Sequence, residues 1–303
     1  MSIKEWKNHS GIVKDSKNNF NIIDCETCQF SHIIPIPSES DTVDMYSEDY
    51  YEFEKPDYIE TVSKDKEWWD LAYDNRYDSF EDVLDKKQRR LLDIGSGPGL
   101  FLLRGKNRGW NVTGIEPSKA PYLYSSKTLG LDVKNVFFDS KTYKDIEKFD
   151  VINLSLVIEH IPHPFDFLKL VYDRIEDGGL ISIELPNDYN PFQMAVQNSL
   201  GHKPWWVAPP HHINYFNFDS LERLLKNIGF KIVLKEATFP IDLFLLMEEN
   251  YIGNDKLGRK CHQMRKNFEL NLHKSGNDKL KRRLYKKLAE LNLGREIIMI
   301  GQK

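Results

Sequence analysis

The chain has 303 residues, 40% hydrophobic and 29% charged, with a net charge of −4, which is typical of a soluble globular protein. The pI near 6.2 argues against bulk binding of nucleic acid, and the longest apolar run, "FPIDLFLLM", is too short to cross a bilayer. The N-terminus has no apolar stretch behind its lysines, so we expect a cytoplasmic protein with no membrane partner.

The first 45 residues are predicted to form a small module with four candidate metal ligands: His9, Cys25, Cys28 and His32. A C-x-x-C pair with a histidine on either side can hold zinc, because Cys₂His₂ sites are common. Two reduced thiols beside free histidines are the alternative, and the sequence leaves both open. A redox pair is disfavoured, since no β-α-β pattern surrounds the cysteines.

Residues 46–88 are rich in aromatic and acidic side chains and are predicted to form helices that cover the following domain. From residue 89 to residue 303, strand-like and helix-like segments alternate, which predicts a parallel sheet with crossover helices. Two long segments, 187–217 and 239–293, interrupt this alternation as insertions. Insertions of that length are usually functional.

The segment "RRLLDIGSGPGLFLL", residues 89–103, predicts a strand that turns sharply into a helix and holds a nucleotide. Its glycines are Gly95, Gly97 and Gly99, so the G-x-G-x-x-G spacing of a dinucleotide site is absent. Asp93 would repel a pyrophosphate but suits a ligand with an amino group and a sulfonium, such as S-adenosylmethionine. Glu116, about 20 residues further on, can accept the ribose hydroxyls.

Four segments, "LLDIGSGPG", "GIEPS", "FDVINLSLVIEHIPHP" and "GGLISIELPN", together resemble the class I S-adenosylmethionine-dependent methyltransferases in order and spacing. The likeness covers about residues 89–238 and the last strand. It implies an α/β, Rossmann-like sheet of seven strands, mostly parallel with the last strand antiparallel, and helices on both faces.

The same resemblance implies roles for single residues. Asp93 and the three glycines would line the methionine side of the cofactor, and Glu116 would hold the ribose. Asp139 would contact adenine, although it could equally cap the next helix. Ser155 and Leu156 would lie beneath the sulfonium, or they could simply fill the strand.

The N-terminal module resembles zinc-binding leaders on some bacterial methyltransferases of sugar and cell-surface polysaccharide pathways. In that group four ligands are usual and are more often all cysteine. The resemblance implies a structural zinc ion and an acceptor from capsule or surface-glycan synthesis.

Methyl transfer to a hydroxyl requires a base, and histidine has a suitable pKa. His160 is one candidate, and the family also uses this position for packing and for the cofactor wall. His211, His212 and Tyr215 are the others, in the aromatic segment "WWVAPPHHINYF". The flat rings there could line an acceptor pocket or cover the sheet edge.

Residues 256–287 carry twelve Lys or Arg against two acids and are predicted to form two basic helices. These could be solvated faces or a wall that holds an anionic acceptor. We therefore predict an O-methyltransferase for a small acceptor such as a sugar, nucleotide-linked or phospho-compound. The alternatives are a NAD-dependent dehydrogenase and a non-catalytic protein that binds a cofactor or interacts through zinc.

Overall fold

The computed structural model describes residues 8–38 and 64–303. Within these ranges the chain divides into two compact units. The first contains 8–36, 184–224 and 234–299, and the second contains 37–38, 64–183, 225–233 and 300–303. The predicted boundary at residue 45 and residues 46–63 of the predicted helical cover lie outside the described residues. In the described part of the chain, no helix is long and apolar enough to cross a membrane.

The strands are β1 (Gly11–Lys17), β2 (Phe20–Cys25), β3 (Ser31–Ile34), β4 (Arg90–Ile94), β5 (Asn111–Ile115), β6 (Asp132–Lys134), β7 (Phe149–Ser155), β8 (Ile175–Pro186), β9 (Asn214–Tyr215), β10 (Lys231–Ala237) and β11 (Glu296–Gln302). The α-helices are α1 (Lys66–Glu81), α2 (Leu100–Asn107), α3 (Lys119–Leu123), α4 (Pro164–Arg174), α5 (Pro191–Leu200), α6 (Phe218–Ile228), α7 (Asp242–Leu246), α8 (Asp255–Lys274) and α9 (Asp278–Glu290).

Seven strands form the main sheet, in the order β10-β11-β8-β7-β4-β5-β6. β4 is parallel to β5 and β7, and β5 is parallel to β6. The sheet is mostly parallel with its last strand antiparallel, which confirms the predicted fold class. Every residue of β7 except the last is buried, as a central strand covered on both faces requires.

One predicted strand is shorter than expected. The segment "VKNVFF" predicts a strand through residue 138, but β6 ends at Lys134. The side chain of Asn135 instead donates 2.8 Å hydrogen bonds to the backbone carbonyls of Glu116 and Pro117. These bonds pair the carbonyls beyond β5 with a side chain, where a longer β6 would pair them with its backbone N–H groups.

A second sheet, β1-β2-β3-β9, joins the N-terminal strands to the first insertion. β3 pairs antiparallel with β9, so that Ser31 lies opposite Tyr215 and His32 opposite Asn214. The two segments share one hydrophobic cluster, whose buried members are Ile22, Ile33, Ile36, Trp206, Val207, Ile213 and Tyr215. The N-terminal hairpin therefore obtains much of its core from residues 206–215.

Candidate functional site

The turn between β4 and α2 depends on three glycines. Gly95, Gly97 and Gly99 have φ values of 75°, 52° and 79°, in the left-handed region that other residues disfavour. A Cβ atom on Gly95 would lie 2.7 Å from Cγ2 of Val157, and one on Gly99 would lie 2.8 Å from Cδ1 of Leu131. Conformation requires glycine at all three positions, and lack of space requires it as well at Gly95 and Gly99. The first N–H groups of α2 follow directly and can bind an anionic group.

Asp93 lies on β4 just before this turn and is 3% exposed. Its Oδ1 accepts a 2.8 Å hydrogen bond from Nδ2 of Asn153, its register partner on β7. Asn153 is not predicted as a site residue from the sequence, where its only signal is one amide in the buried run "FDVINLS". Together the two side chains place a fixed, buried negative charge at the start of the turn, where a cationic amino group can bind.

Glu116 follows β5 and is bonded to the glycine turn. Its Oε2 accepts a 2.8 Å hydrogen bond from the N–H of Gly97, and its Oε1 accepts one of 2.8 Å from the N–H of Ser118. Burial raises the pKa of this carboxyl, while the two backbone N–H bonds oppose the rise. Since each carboxylate oxygen can accept more than one bond, Glu116 can hold ribose hydroxyls and the turn together.

Asp139 has part of its carboxylate occupied by local structure. Oδ1 accepts 2.8 Å hydrogen bonds from the N–H groups of Lys141 and Thr142, ahead of a short 3₁₀ helix, Tyr143–Asp145. Partial burial raises the pKa of Asp139, but the bonds from Thr142 and Lys141 outweigh it and leave the pKa lowered. The capping interpretation accounts for Oδ1, and adenine contact stays a prediction.

Leu156 stands immediately after β7, which ends at Ser155. Leu156 has a φ of 56° and is 46% exposed, so an apolar side chain is held in a costly conformation at a strand's carboxyl end. Such backbone strain is concentrated at ligand sites. Ser155 Oγ accepts a 3.3 Å hydrogen bond from Nδ2 of Asn153, which links it to the Asp93 pair.

His160 ends a one-turn 3₁₀ helix, Ile158–His160. Its Nε2 lies 3.7 Å from Oε1 of Glu159, a carboxylate that is 1% exposed. Both the base and the packing interpretations of His160 remain consistent with this position.

The four predicted metal ligands, His9, Cys25, Cys28 and His32, come together. Their ligand atoms all lie within 4.8 Å of one another. His9 Nδ1 is 3.0 Å from His32 Nε2 and 3.5 Å from Cys28 Sγ. A tetrahedral zinc ion with bonds of about 2.0–2.3 Å needs ligand atoms about 3.3–3.8 Å apart, so small side-chain rotations would suffice. The set therefore fits zinc.

The backbone next to the cluster suits a metal as well. Nδ1 of His32 lies 2.9 Å from the carbonyl oxygen of Ile33, so an Nδ1–H donor would leave Nε2 as the ligand atom, as metal-bound histidines usually are. Burial lowers the pKa of His32 to about 4, against an opposing hydrogen bond to Ile33. The ring is therefore neutral.

The first insertion holds the other three catalytic candidates. His211 and His212 are half-buried, and the His212 N–H donates a 2.9 Å bond to the carbonyl of Ala208. Tyr215 is buried on β9, and its hydroxyl accepts a 3.2 Å bond from the N–H of Ala208. Burial raises the pKa of Tyr215, so its phenol stays protonated and can donate a hydrogen bond but is a poor base.

A further polar group in the same unit, Asp188, is not predicted from the sequence. Asp188, two residues past β8, is 3% exposed. Next to it, Tyr189 has a φ of 55° and donates a 2.8 Å hydrogen bond to Oδ2 of Asp15, while the ammonium of Lys14 lies 3.8 Å above its ring centroid. The only sequence signal is the acid in "LPNDYN", directly after a predicted strand.

Residues 70–235, more than half of the chain, match a family model described as a methyltransferase domain. The chain belongs to this family. The predicted membership of the methyltransferases is thereby confirmed, and the dehydrogenase and non-catalytic alternatives are not favoured.

Relatives of this methyltransferase domain include two named ubiquinone biosynthesis O-methyltransferase. The protein of Pseudomonas aeruginosa is 25% identical over 104 residues, which cover 33% of this chain and 45% of that protein. The protein of Glaesserella parasuis is 27% identical over 146 residues, covering 40% and 60%. The chain thus spans about half the length of the curated relatives it matches. A solved Archaeoglobus fulgidus structure titled as a SAM dependent methyltransferase has 20% identity and a TM-score of 0.49, over 77% of this chain and 92% of that one.

Proposed function

We propose that this methyltransferase domain transfers a methyl group from S-adenosylmethionine to an oxygen of a small acceptor. The observation that carries the proposal is the glycine turn with a carboxylate on either side, Asp93 before it and Glu116 bonded to it through Gly97. A dinucleotide would meet the charge of Asp93 at its pyrophosphate, whereas a cationic amino group is attracted to it.

The residues at this edge fit the cofactor. Asp93 would bind the amino group, the first N–H groups of α2 would bind the carboxylate, and Glu116 would accept the ribose hydroxyls. When bound, S-adenosylmethionine supplies an electrophilic methyl group. The chain must then hold the acceptor oxygen in line and accept its proton, and His211, His212 and His160 are the proposed proton acceptors.

The acceptor that we propose is a sugar, nucleotide-linked or phospho-compound of capsule or surface-glycan synthesis. The aromatic segment of residues 205–216 supports a flat, partly polar acceptor. The exposed lysines and arginines of α8 and α9 support an anionic one. Part of this positive charge is used in an ion pair within the protein, because Arg282 Nη2 lies 3.0 Å from Oε2 of Glu236. Oxygen as the attacking atom is supported by the relatives, which are named O-methyltransferases.

We also propose a structural zinc ion on His9, Cys25, Cys28 and His32. The support is the convergence of their four ligand atoms and the carbonyl that orients His32. Zinc in this setting would fix the turn between β2 and β3.

Calorimetric titration with S-adenosylmethionine, S-adenosylhomocysteine and NAD tests the cofactor. We expect binding of the first two and no binding of NAD. Methyl transfer to sugars, sugar phosphates, nucleotide sugars and catechols then tests the acceptor. Binding of NAD alone would contradict the proposal, and methyl transfer to catechols only would contradict the glycan acceptor while leaving the reaction intact.

A further inference from the structure

The carboxylate of Asp188 is buried without a complete set of hydrogen bonds. Its backbone is fixed, because the Asp188 N–H donates a 2.8 Å bond to the carbonyl of Phe216. Its Oδ2 is fully buried and has no hydrogen-bond partner among the residues that the structure describes. Buried polar atoms are nearly always paired, so an unpaired one calls for an explanation.

The charges around Asp188 do not supply the missing partner. Burial and the nearby carboxylate of Asp242 raise the pKa of Asp188, and Lys14 lowers it. The Lys14 ammonium, however, lies over the ring of Tyr189. Asp242 has its own partners, Asn190 at 3.3 Å and Tyr251 at 3.4 Å.

The side chain of Trp206, which packs against Tyr189, carries a hydrogen-bond donor that is also unpaired among the described residues. Trp206 is 8% exposed, and its Nε1 has no hydrogen-bond partner within the described residues. Its ring packs edge-to-face on Tyr189, with centroids 5.5 Å apart, and Tyr189 lies 6.2 Å from Tyr215 in the same way. An acceptor and a donor without partners therefore flank one strained tyrosine, at the carboxyl end of a sheet strand, where α/β folds bind ligands.

From these contacts we propose that Asp188 and Trp206 bind the methyl acceptor, and that the acceptor is a sugar. Oδ2 of Asp188 accepts a hydrogen bond from one sugar hydroxyl, and Nε1 of Trp206 donates one to a neighbouring sugar oxygen. Tyr189 is half-buried, and the face of its ring that the Lys14 ammonium does not cover is the apolar surface offered to the sugar. The assignment rests on the proposed function and narrows its acceptor class.

The first test needs no acceptor. Because the folded pKa of Asp188 is raised, the wild type loses stability as pH rises from the unfolded pKa of about 3.9 through the folded value. Asp188→Asn cannot ionise, so we expect its Tm to equal the wild type near pH 4 and to exceed it by about 2–4 °C at pH 8. Both proteins contain the same other titratable residues facing the site, which are Lys14, Asp15, Asp242, Tyr189 and Tyr215.

Asp74→Asn is the control with the opposite sign. Partial burial raises the pKa of Asp74, but hydrogen bonds from Arg104 and Arg108 outweigh it and leave the pKa lowered, so loss of this carboxylate should lower Tm at pH 8. A Tm of Asp188→Asn below the wild type at pH 8 would show that the carboxylate is a structural group and would overturn the proposal.

The second test uses glucose 1-phosphate and UDP-glucose as probes, titrated into protein saturated with S-adenosylhomocysteine. We expect at least one to bind, and Asp188→Asn and Trp206→Phe each to weaken it at least tenfold with cofactor affinity unchanged. Equal affinity in the variants, or no binding of either sugar, overturns the proposal. A wild type that binds no S-adenosylmethionine would instead contradict the proposed function, so the two failures are distinct.

Discussion

Two regions of the molecule are assembled in opposite ways. One is the cofactor edge, formed by Asp93, the glycine turn and Glu116, and the other is the first compact unit, which contains the N-terminal strands and is called the N-terminal unit below. At the cofactor edge, the bond between Gly97 and Glu116 joins residues 19 positions apart. In the other unit, Tyr189 bonds Asp15 across 174 positions, and Lys17 bonds the carbonyl of Val207 across 190. The glycine turn, Asp93 and Glu116 come from one stretch of sequence, residues 93–116, whereas the second region exists only once distant segments have packed. Changes in one region should therefore spare the other.

The largest effect is expected from the metal ligands. Cys25→Ser with Cys28→Ser should abolish zinc binding and destabilise the N-terminal unit by about 4 kcal/mol or more, since loss of a structural metal is among the most damaging changes. Hydrogen exchange should accelerate in residues 206–215 while S-adenosylmethionine affinity is kept.

Cys261→Ser is the control, because this third cysteine is buried in a separate cluster with Ile241 and Phe244. It should leave zinc at one equivalent per chain by elemental analysis. Wild-type protein without zinc and with three titratable thiols would rule out the metal site.

The next largest effect concerns the base. We expect either His211→Ala or His212→Ala, but not both, to lower turnover about 100-fold to 10,000-fold with cofactor affinity unchanged. His160→Ala should disturb turnover and cofactor binding together. Turnover against pH is the measurement, with His202→Ala as a control in the same insertion. If both loop variants keep the wild-type turnover, and if turnover falls at the same acidic pH as in the wild type, the base does not lie in this loop.

A smaller effect is expected from Glu116→Ala. Loss of charge-assisted ribose bonds should weaken S-adenosylmethionine binding by about 2 kcal/mol, or about 30-fold. Zinc content should not change, which separates the two regions. Glu147→Ala, at a largely exposed carboxylate, should leave the affinity measured by calorimetry untouched. An unaltered affinity in folded Glu116→Ala would remove this residue from the site.

The smallest effect is expected from alanine substitution at two glycines that differ in the space around them. Gly95→Ala and Gly109→Ala both force alanine into positive φ, at 75° and 85°, for about 1–2 kcal/mol each. Only at Gly95 would the new Cβ meet a neighbour, Val157, since nothing lies within 4 Å of it at Gly109. Gly95→Ala should therefore melt lower and lose cofactor affinity. Equal melting temperatures would show that Val157 moves away freely.

The sequence predicts the main sheet well because its signals are local. The buried runs of β4 and β7 and the glycine turn are each read within a few residues. The end of β6 is missed, because the side chain of Asn135 bonds the carbonyl of Glu116, a tertiary contact that the apolar pattern of this segment does not show. The four metal ligands are predicted as a set, yet spacing alone could not show that His9 reaches Cys28.

The contacts around Asp188 and Tyr189, which involve Lys14, Asp15 and Trp206, could not be predicted from the sequence. Neither Lys14 nor Asp15 carries a motif, and Asp15 meets Tyr189 across 174 positions of the chain. The strand β9, which pairs with β3, has two residues and no recognisable pattern. Tertiary packing decides such elements, and a single sequence does not reveal it.

The shared cluster of Ile22, Ile33, Trp206 and Ile213 also sets an order of events during synthesis. When the ribosome has made the first hairpin, the residues that bury its apolar face are still about 170 codons away. At a synthesis rate of about 5–20 residues per second, that face waits about 10–35 seconds. Without its partner a small hairpin is marginal in water, so the first hairpin stays weakly structured until residues 206–215 have been made.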